Sequence, residues 1–209
     1  MIHNECIKKI TCIEGSICMK CGKQLDDNET EYCSDCARKN FVYKRGVAAF
    51  AYSDVMKKSM YAFKYNNRRE YARFYAKMLC EKHGNTIKSW NARVLVPVPL
   101  HKSRQRKRGY NQAGVLAGQL SELLHIPVDS EMLVRGKKTA PQKTLSDRAR
   151  VNNLENAFQI GKSVVRYRSI ILVDDIYTTG ATINECASVL RTAGAEDVYF
   201  VTACIGRGF

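Results

Sequence analysis

The sequence predicts an α/β fold, with a central parallel sheet flanked by helices and a small four-cysteine module in front of it. Three observations carry this. The runs Val94-Leu95-Val96 and Ile170-Ile171-Leu172-Val173 are aliphatic and rich in β-branched residues, as strands buried on both faces must be. Each leads through a polar turn into a stretch of helical apolar spacing, the alternation that builds a parallel sheet. Cys6, Cys12, Cys18, Cys21, Cys33 and Cys36 all precede residue 40, a compositional break that separates a module from the rest. Residues 1–42 are assigned to that module and residues 43–209 to the α/β domain. A chain of 209 residues suffices for one such core plus an appendage.

Cys18-Met19-Lys20-Cys21 and Cys33-Ser34-Asp35-Cys36 are two knuckles separated by a short polar segment containing Gly22, Asp26, Asp27 and Asn28. Each knuckle brings two thiolates to one side of a tight turn, and two knuckles complete a tetrahedral Zn²⁺ site. So small a segment cannot bury a useful core, so the metal would supply much of its folding energy. With all four positions filled by protein, the site is structural. Cys6 and Cys12 have the wrong spacing for another knuckle and read as loose thiols, while Cys80, Cys186 and Cys204 read as small buried residues.

Val47 to Tyr52 reads as a strand, Ser53 or Asp54 as a cap, and Val55 to Tyr65 as an amphipathic helix. A second helix is expected from Arg69 to Lys82, stopping near Gly84. Aromatic residues from Phe41 to Tyr75 are interleaved with Lys57, Lys58, Lys64, Arg68, Arg69, Arg73 and Lys77. Faces for bases beside charges for phosphates suit single-stranded nucleic acid. The helical spacing of Tyr61 and Tyr65 suits packing against the core equally, and packing is the reading favoured for them.

The strand Val94 to Pro99 leads into Leu100-His101-Lys102-Ser103-Arg104 and Arg108-Gly109-Tyr110-Asn111-Gln112, then a helix through Leu116, Leu120 and Leu123. Strand, basic loop and helix place anion-binding groups at the carboxyl edge of a sheet. Glu131 to Arg135 is a short strand, and Gly136 to Leu145 a mobile basic loop placed to act as a lid. Ser146 to Val151 reads as a helical turn and Asn156 to Ile160 as a strand. The last helix, Thr182 to Ala193, should bury Ile183, Ala187 and Leu190 and stop at Gly194, with Val198 to Ala203 closing the sheet.

The chemistry concentrates where the second aliphatic run ends. Asp174 and Asp175 follow it directly, then Ile176, Tyr177 and the loop Thr178-Thr179-Gly180-Ala181-Thr182. Backbone N–H groups at a helix start, with the helix dipole behind them, favour a phosphate. Two carboxylates accept hydrogen bonds from a vicinal diol. A phosphate loop beside a diol site describes a ribose 5-phosphate. This stretch resembles the phosphoribosyl diphosphate (PRPP) signature of type I phosphoribosyltransferases.

The net charge of +14 implies anionic partners. It gathers in two clusters, Lys102, Arg104, Arg106, Lys107 and Arg108, and then Arg135, Lys137, Lys138, Lys143, Arg148 and Arg150. No apolar run reaches the roughly 18 residues of a membrane span, and Met1 to Cys6 lack the apolar stretch of a secretory signal. A cytoplasmic, reducing location is expected, which favours metal binding over disulfides.

The arrangement as a whole is similar to the competence protein ComF family, a zinc-knuckle module joined to a type I phosphoribosyltransferase-like domain. The parts that carry the resemblance are both knuckles, Val96 to Pro99, Arg108 to Gln112, Gln142 to Arg148, and Asp174 to Thr182. Family members often have a longer cysteine-rich lead, of which Cys6 and Cys12 remain. The resemblance implies that Asp174 and Asp175 bind the ribose hydroxyls and serve the chemistry, while Thr178, Thr179, Gly180, Ala181 and Thr182 hold the 5-phosphate. Leu100, His101, Lys102, Ser103 and Arg104 would cradle the pyrophosphate with Arg108 nearby, and Mg²⁺ would bridge pyrophosphate and sugar oxygens. It implies a pentosyl transfer to an unidentified acceptor, linked to natural competence and DNA uptake. The second reading is a non-catalytic PRPP sensor or single-stranded-DNA-binding accessory, with other competence proteins as partners.

Overall fold

Residue parity along the strands decides what each face of the sheet buries. In this computed structural model, which describes residue 10 and residues 12–136, 157–162 and 166–206, four strands form one sheet. They are β1 (Arg45–Ala51), β2 (Val94–Pro97), β5 (Ser169–Tyr177) and β6 (Asp197–Ile205). Their order is β1-β6-β5-β2, and every pairing is parallel. Successive side chains point to opposite faces. Val47, Leu95, Ile171, Val173 and Val201 therefore enter one apolar cluster, and Ala48, Val96, Ile170, Leu172 and Phe200 the other. Both faces are buried, as the unbroken aliphatic runs require.

Three helices cover the first face: α2 (Asp54–Tyr65), α3 (Tyr71–Ser89) and α5 (Gln112–Leu124). The second is covered by α6 (Ala181–Thr192), by the cysteine module with its short helix α1 (Ser34–Arg38), and by a separate antiparallel pair, β3 (Leu133–Arg135) and β4 (Phe158–Ile160). Ser53 caps α2 by accepting a hydrogen bond from the Met56 N–H at 3.4 Å. Ile183, Ala187 and Leu190 of α6 are buried as their spacing requires.

Several elements depart from expectation for identifiable reasons. Helix α3 does not stop at Gly84 but continues to Ser89, because the buried Ile87 and Trp90 anchor a further turn. In α5 it is Leu124, not Leu123, that completes the buried stripe, and Leu123 is exposed. Strand β6 does not close the sheet. It lies inside, between β1 and β5, which leaves β1 at the edge. Lys102–Arg108, expected as part of a basic loop, forms a helix, α4, whose N-terminus is capped by His101 Nδ1 accepting from the Ser103 N–H at 3.2 Å. Lys137, Lys138 and Lys143, expected in a lid, and Ser146 to Val151, expected as a helical turn, lie outside the described residues, as does Cys6.

The cysteine module is sewn to the sheet. The Gly46 N–H donates to the Lys20 carbonyl at 2.8 Å, and a Cβ on Gly46 would sit 2.1 Å from the Phe200 ring. That position admits only glycine. Among the described residues no helix is long and apolar enough to cross a membrane.

Candidate functional site: an acid pair opposite a cationic wall

The site begins with a difference in strand length. Pro97 is the last residue of β2 and pairs with Val173; the Val98 N–H still donates to the Val173 carbonyl at 2.9 Å. Pro99 has no N–H to continue the ladder. Strand β5 therefore runs on without β2 through Asp174 and Asp175, held by β6 through the Asp174–Thr202 register. The chain after β2 turns away into α4 and opens a cavity of about 400 Å³.

Asp174, Asp175, Thr178 and Thr182 line this cavity from the β5–α6 side, and Leu100, Arg104 and Arg108 line it from the β2–α4 side. His101, Lys102 and Ser103 do not reach it; His101 and Ser103 are engaged in capping α4. Thr179 is half-buried, and its Oγ1 has no hydrogen-bond partner among the described residues. Gly180 is the N-cap of α6 with φ 81°, and a Cβ there would meet the Tyr177 hydroxyl at 2.4 Å. Ala181 opens the helix. Its first turn carries no acid and its N-cap residue supplies no side-chain cap, so the positive end of the helix dipole favours an anion there.

The lining also includes residues from α2 and β3. Lys64, grouped with the nucleic-acid cations, instead projects into the site, where its Nζ lies 2.9 Å from Asp175 Oδ2. The signal was its place four residues after the buried Met60 on α2. Arg135 on β3 also reaches the cavity. Tyr61 and Tyr65, expected to pack inward, are 57% and 47% exposed at the same cavity. Helix α2 buries the stripe Met56, Met60 and Phe63, and the two tyrosines fall on the neighbouring stripe. Their ring centroids are 5.0 Å apart, and the Arg108 guanidinium lies 5.0 Å from the Tyr65 ring while donating to its hydroxyl at 3.1 Å.

Lys57, Lys64, Arg104, Lys107, Arg108 and Arg135 thus face two carboxylates. Burial and then the like charge of Arg108 lower the Arg104 pKa, and burial and then Arg104 lower that of Arg135. These cations repel one another in a confined space, and an anion relieves that repulsion. On the opposite side, burial first and the Asp175 charge second push Asp174 up to about 7, against the pull of Lys64 and Arg135. An acid pair, a helix start and a cationic wall share one cavity.

Behind this site the four cysteine sulfurs lie within 4.8 Å of one another, close enough to coordinate one metal ion. Cys33 is the N-cap of α1, which sets Cys36 one turn on along the same face. Cys18, Cys21 and Cys33 are buried and Cys36 is half-buried. Hydrogen bonds from Cys21, Cys33 and Cys36 hold the Cys18 thiol well below its usual range. Lys23, itself buried, pairs with Asp35 at 3.0 Å beside the cluster. Cys12 is half-buried and outside the cluster, and Cys80 is half-buried where Cys186 and Cys204 are fully so.

The acid pair makes stability depend on pH. Native Asp174 keeps its proton up to about pH 7, whereas an unfolded aspartate releases it near about pH 4, so the native state binds more protons between them. The contribution of Asp174 to stability therefore falls as pH rises through that window. Urea midpoints of the wild type relative to Asp174→Asn should decline from pH 4 to 7; a relative rise would contradict the assigned direction.

Residues 81–208 match the phosphoribosyl transferase domain family. The chain is 35% identical to competence protein F of Haemophilus influenzae over 188 residues, which cover 87% of this chain and 81% of that protein. It is 31% identical to the DNA utilization protein YhgH of Escherichia coli, covering 94% and 87%. To competence protein ComFC of Bacillus subtilis it is 30% identical, covering 90% and 77%. Among solved structures, a purine phosphoribosyltransferase from Pyrococcus horikoshii superposes on 65% of this chain and 71% of its own, with 16% identity and a TM-score of 0.36. Relatives of this identity over nearly the full length, together with the domain match, make the chain a member of the ComF family, with a phosphoribosyl transferase domain behind a four-cysteine cluster.

Proposed function

We propose that the chain binds PRPP in the cavity at the carboxyl end of β5 and transfers its ribose 5-phosphate to an acceptor, with release of pyrophosphate. The observation that carries this reading is the placement of Asp174 and Asp175, beside the uncapped start of α6, opposite Arg104 and Arg108. Asp174 and Asp175 accept hydrogen bonds from the ribose hydroxyls. The loop Thr178 to Thr182 receives the 5-phosphate on backbone N–H groups, and the orphaned Thr179 hydroxyl gains a partner there. Arg104 and Arg108 take the pyrophosphate from the β2–α4 side, and Lys64, released from Asp175, is within reach of the same anion.

As the bond from the anomeric carbon to pyrophosphate breaks, positive charge develops on the sugar and negative charge on the leaving group. The chain's own contribution is position and electrostatics: carboxylates beside the ring and guanidiniums beside the leaving oxygens. The carboxylates suit Mg²⁺, a cation that prefers oxygen ligands and binds through substrate phosphates, and Asp174 and Asp175 would be the side chains to hold it. When bound, Mg²⁺ would supply neutralisation of the leaving group's negative charge.

The four-cysteine cluster fits Zn²⁺, because four thiolates leave no position open and suit a tetrahedral structural ion. A link to competence and DNA uptake is supported by the names of the relatives. The exposed Tyr61 and Tyr65 rings, with Lys57, Lys107 and Arg108 around the same cavity, favour single-stranded DNA as a second ligand. In that case the cavity either transfers ribose phosphate or reports PRPP to the machinery of DNA handling.

The PRPP reading predicts that Asp174→Asn with Asp175→Asn abolishes calorimetric binding of PRPP in the presence of Mg²⁺. The loss of two charge-assisted hydrogen bonds costs roughly 3–6 kcal/mol, on the order of 10²- to 10⁴-fold in affinity; unchanged binding would refute the site. Elemental analysis should return about one zinc per chain, falling in Cys33→Ser; full occupancy in that variant would remove Cys33 from the ligand set. Single-stranded DNA should bind with affinity that falls steeply with salt, as counterion release requires. Tyr61→Ala should weaken DNA binding by about 1–3 kcal/mol. Absence of DNA binding at low salt alongside pyrophosphate release would instead indicate a metabolic transferase.

A further inference from the structure

The phosphate loop is fastened from behind. Tyr177, the residue before Thr178, is buried, and its hydroxyl lies 2.7 Å from that of Tyr43, also buried. The Tyr177 ring stacks on Phe200 at 4.9 Å, and Tyr43 meets the same ring edge-on at 5.0 Å. Two phenols fixed by one shared phenylalanine have little freedom except along their common hydrogen bond. The Tyr177 hydroxyl also fills the space a side chain would need at Gly180, so it sits directly beneath the turn that starts α6. One residue before Tyr43, the Val42 N–H donates to Asn184 Oδ1 in the first turn of α6 at 2.7 Å.

The other end of this contact lies in the first cysteine knuckle. Lys20, between Cys18 and Cys21, places its ammonium 5.4 Å from the centre of the Tyr43 ring, and its carbonyl accepts from Gly46 in β1. Cys18, Cys21 and Cys33 share one apolar cluster with Tyr43, Tyr177 and Phe200. The first knuckle and Tyr177, the residue before the phosphate loop, thus belong to one continuous apolar cluster.

We propose that Tyr43 is a positioning residue for the ribose-phosphate loop, and that its hydroxyl contact with Tyr177 couples the ordering of the four-cysteine module to binding at Thr178–Thr182. The proposal rests on the PRPP reading of that loop for its ligand, but not for the coupling itself. A metal bound by the cysteines fixes the knuckle, the knuckle fixes Tyr43, and Tyr43 holds Tyr177 beneath the turn. By linkage the effect is reciprocal, so ribose 5-phosphate must tighten metal retention by the factor that metal tightens ribose 5-phosphate. The module then serves as the floor of the phosphate site rather than as a detached appendage.

The test uses the full chain with Tyr43→Phe, Tyr177→Phe and the double variant, each of which keeps the rings and deletes only hydroxyls. Three quantities are read: amide hydrogen exchange at residues 178–182, affinity for ribose 5-phosphate, and affinity for inorganic pyrophosphate. Either single variant should speed exchange at 178–182 while leaving β2 protected, and should weaken ribose 5-phosphate about five-fold, the loss of one ordinary hydrogen bond. The double variant should lose no more than the singles, because both remove the same contact. Pyrophosphate affinity should not change; a purely structural role for Tyr43 would lower both affinities together. Chelation of the metal from the wild type should reproduce the faster exchange at 178–182. Unchanged exchange there in both single variants and after chelation would overturn the coupling. Altered exchange in a protein that binds neither ribose 5-phosphate nor PRPP would uphold the coupling and overturn the PRPP reading alone. Should Tyr43→Phe fail to fold, Tyr177→Phe removes the same contact from the other side.

Discussion

Two carboxylates at consecutive positions of a buried strand set like charges side by side, and the arrangement around the cavity follows from that conflict. Asp174 and Asp175 are held at the end of β5 by its pairing with β6, so neither can swing away into solvent without breaking the ladder. Adjacent strand residues point to opposite faces. Asp175 is thereby turned toward α2, where Lys64 meets it at 2.9 Å. Asp174 is turned toward the side of β3, where Arg135 is among the charges that act on it. One carboxylate has a close ammonium partner, and the other has its pKa raised to about 7. A ligand that supplies hydroxyl donors and additional negative charge satisfies the acids and the surrounding cations at once.

The same constraint explains why the cavity needs elements from so many parts of the chain. Asp174 and Asp175 come from β5, the helix start from α6, the guanidiniums from α4, and the lysine from α2. Their convergence depends on β2 stopping at Pro97 while β5 continues, a difference of a few residues set by the two prolines after Val96. Behind the loop, the Tyr43–Tyr177 contact ties it to the cysteine cluster. The front of the site is therefore charged and accessible, and its back is aromatic and packed.

Much of this was legible in the sequence because the signals were local. The unbroken aliphatic runs marked buried parallel strands, the twin knuckles marked the cysteine cluster, and the acids with the threonine loop marked the carboxyl end of β5. What was hidden depended on neighbours distant in sequence. Lys64 looks like any solvent-facing cation of an amphipathic helix until α2 is seen lying over Asp175. The outward stripe of Tyr61 and Tyr65 could not be told from a core stripe, since Phe63 and Tyr75 nearby in sequence do pack inside. The position of β6 within the sheet is a matter of topology, which an apolar run does not encode. Leu100 to Arg104 reads as one basic loop in sequence, but His101 caps a helix there, and the helical spacing of Arg104 and Arg108 turns both to the cavity and leaves Lys102 outside it.

Amide chemical shifts report most directly on the proposed seat of an anionic sugar phosphate between the acid pair and the cationic wall. Titration of the isotope-labelled full chain with PRPP and Mg²⁺ should move the backbone amides of residues 178–182 most strongly, followed by those of residues 98–108 and of Lys64. The amides at the amino ends of β5 and β6 should stay where they are. Shifts confined to other surfaces, or none at ligand concentrations well above those in cells, would contradict the central claim.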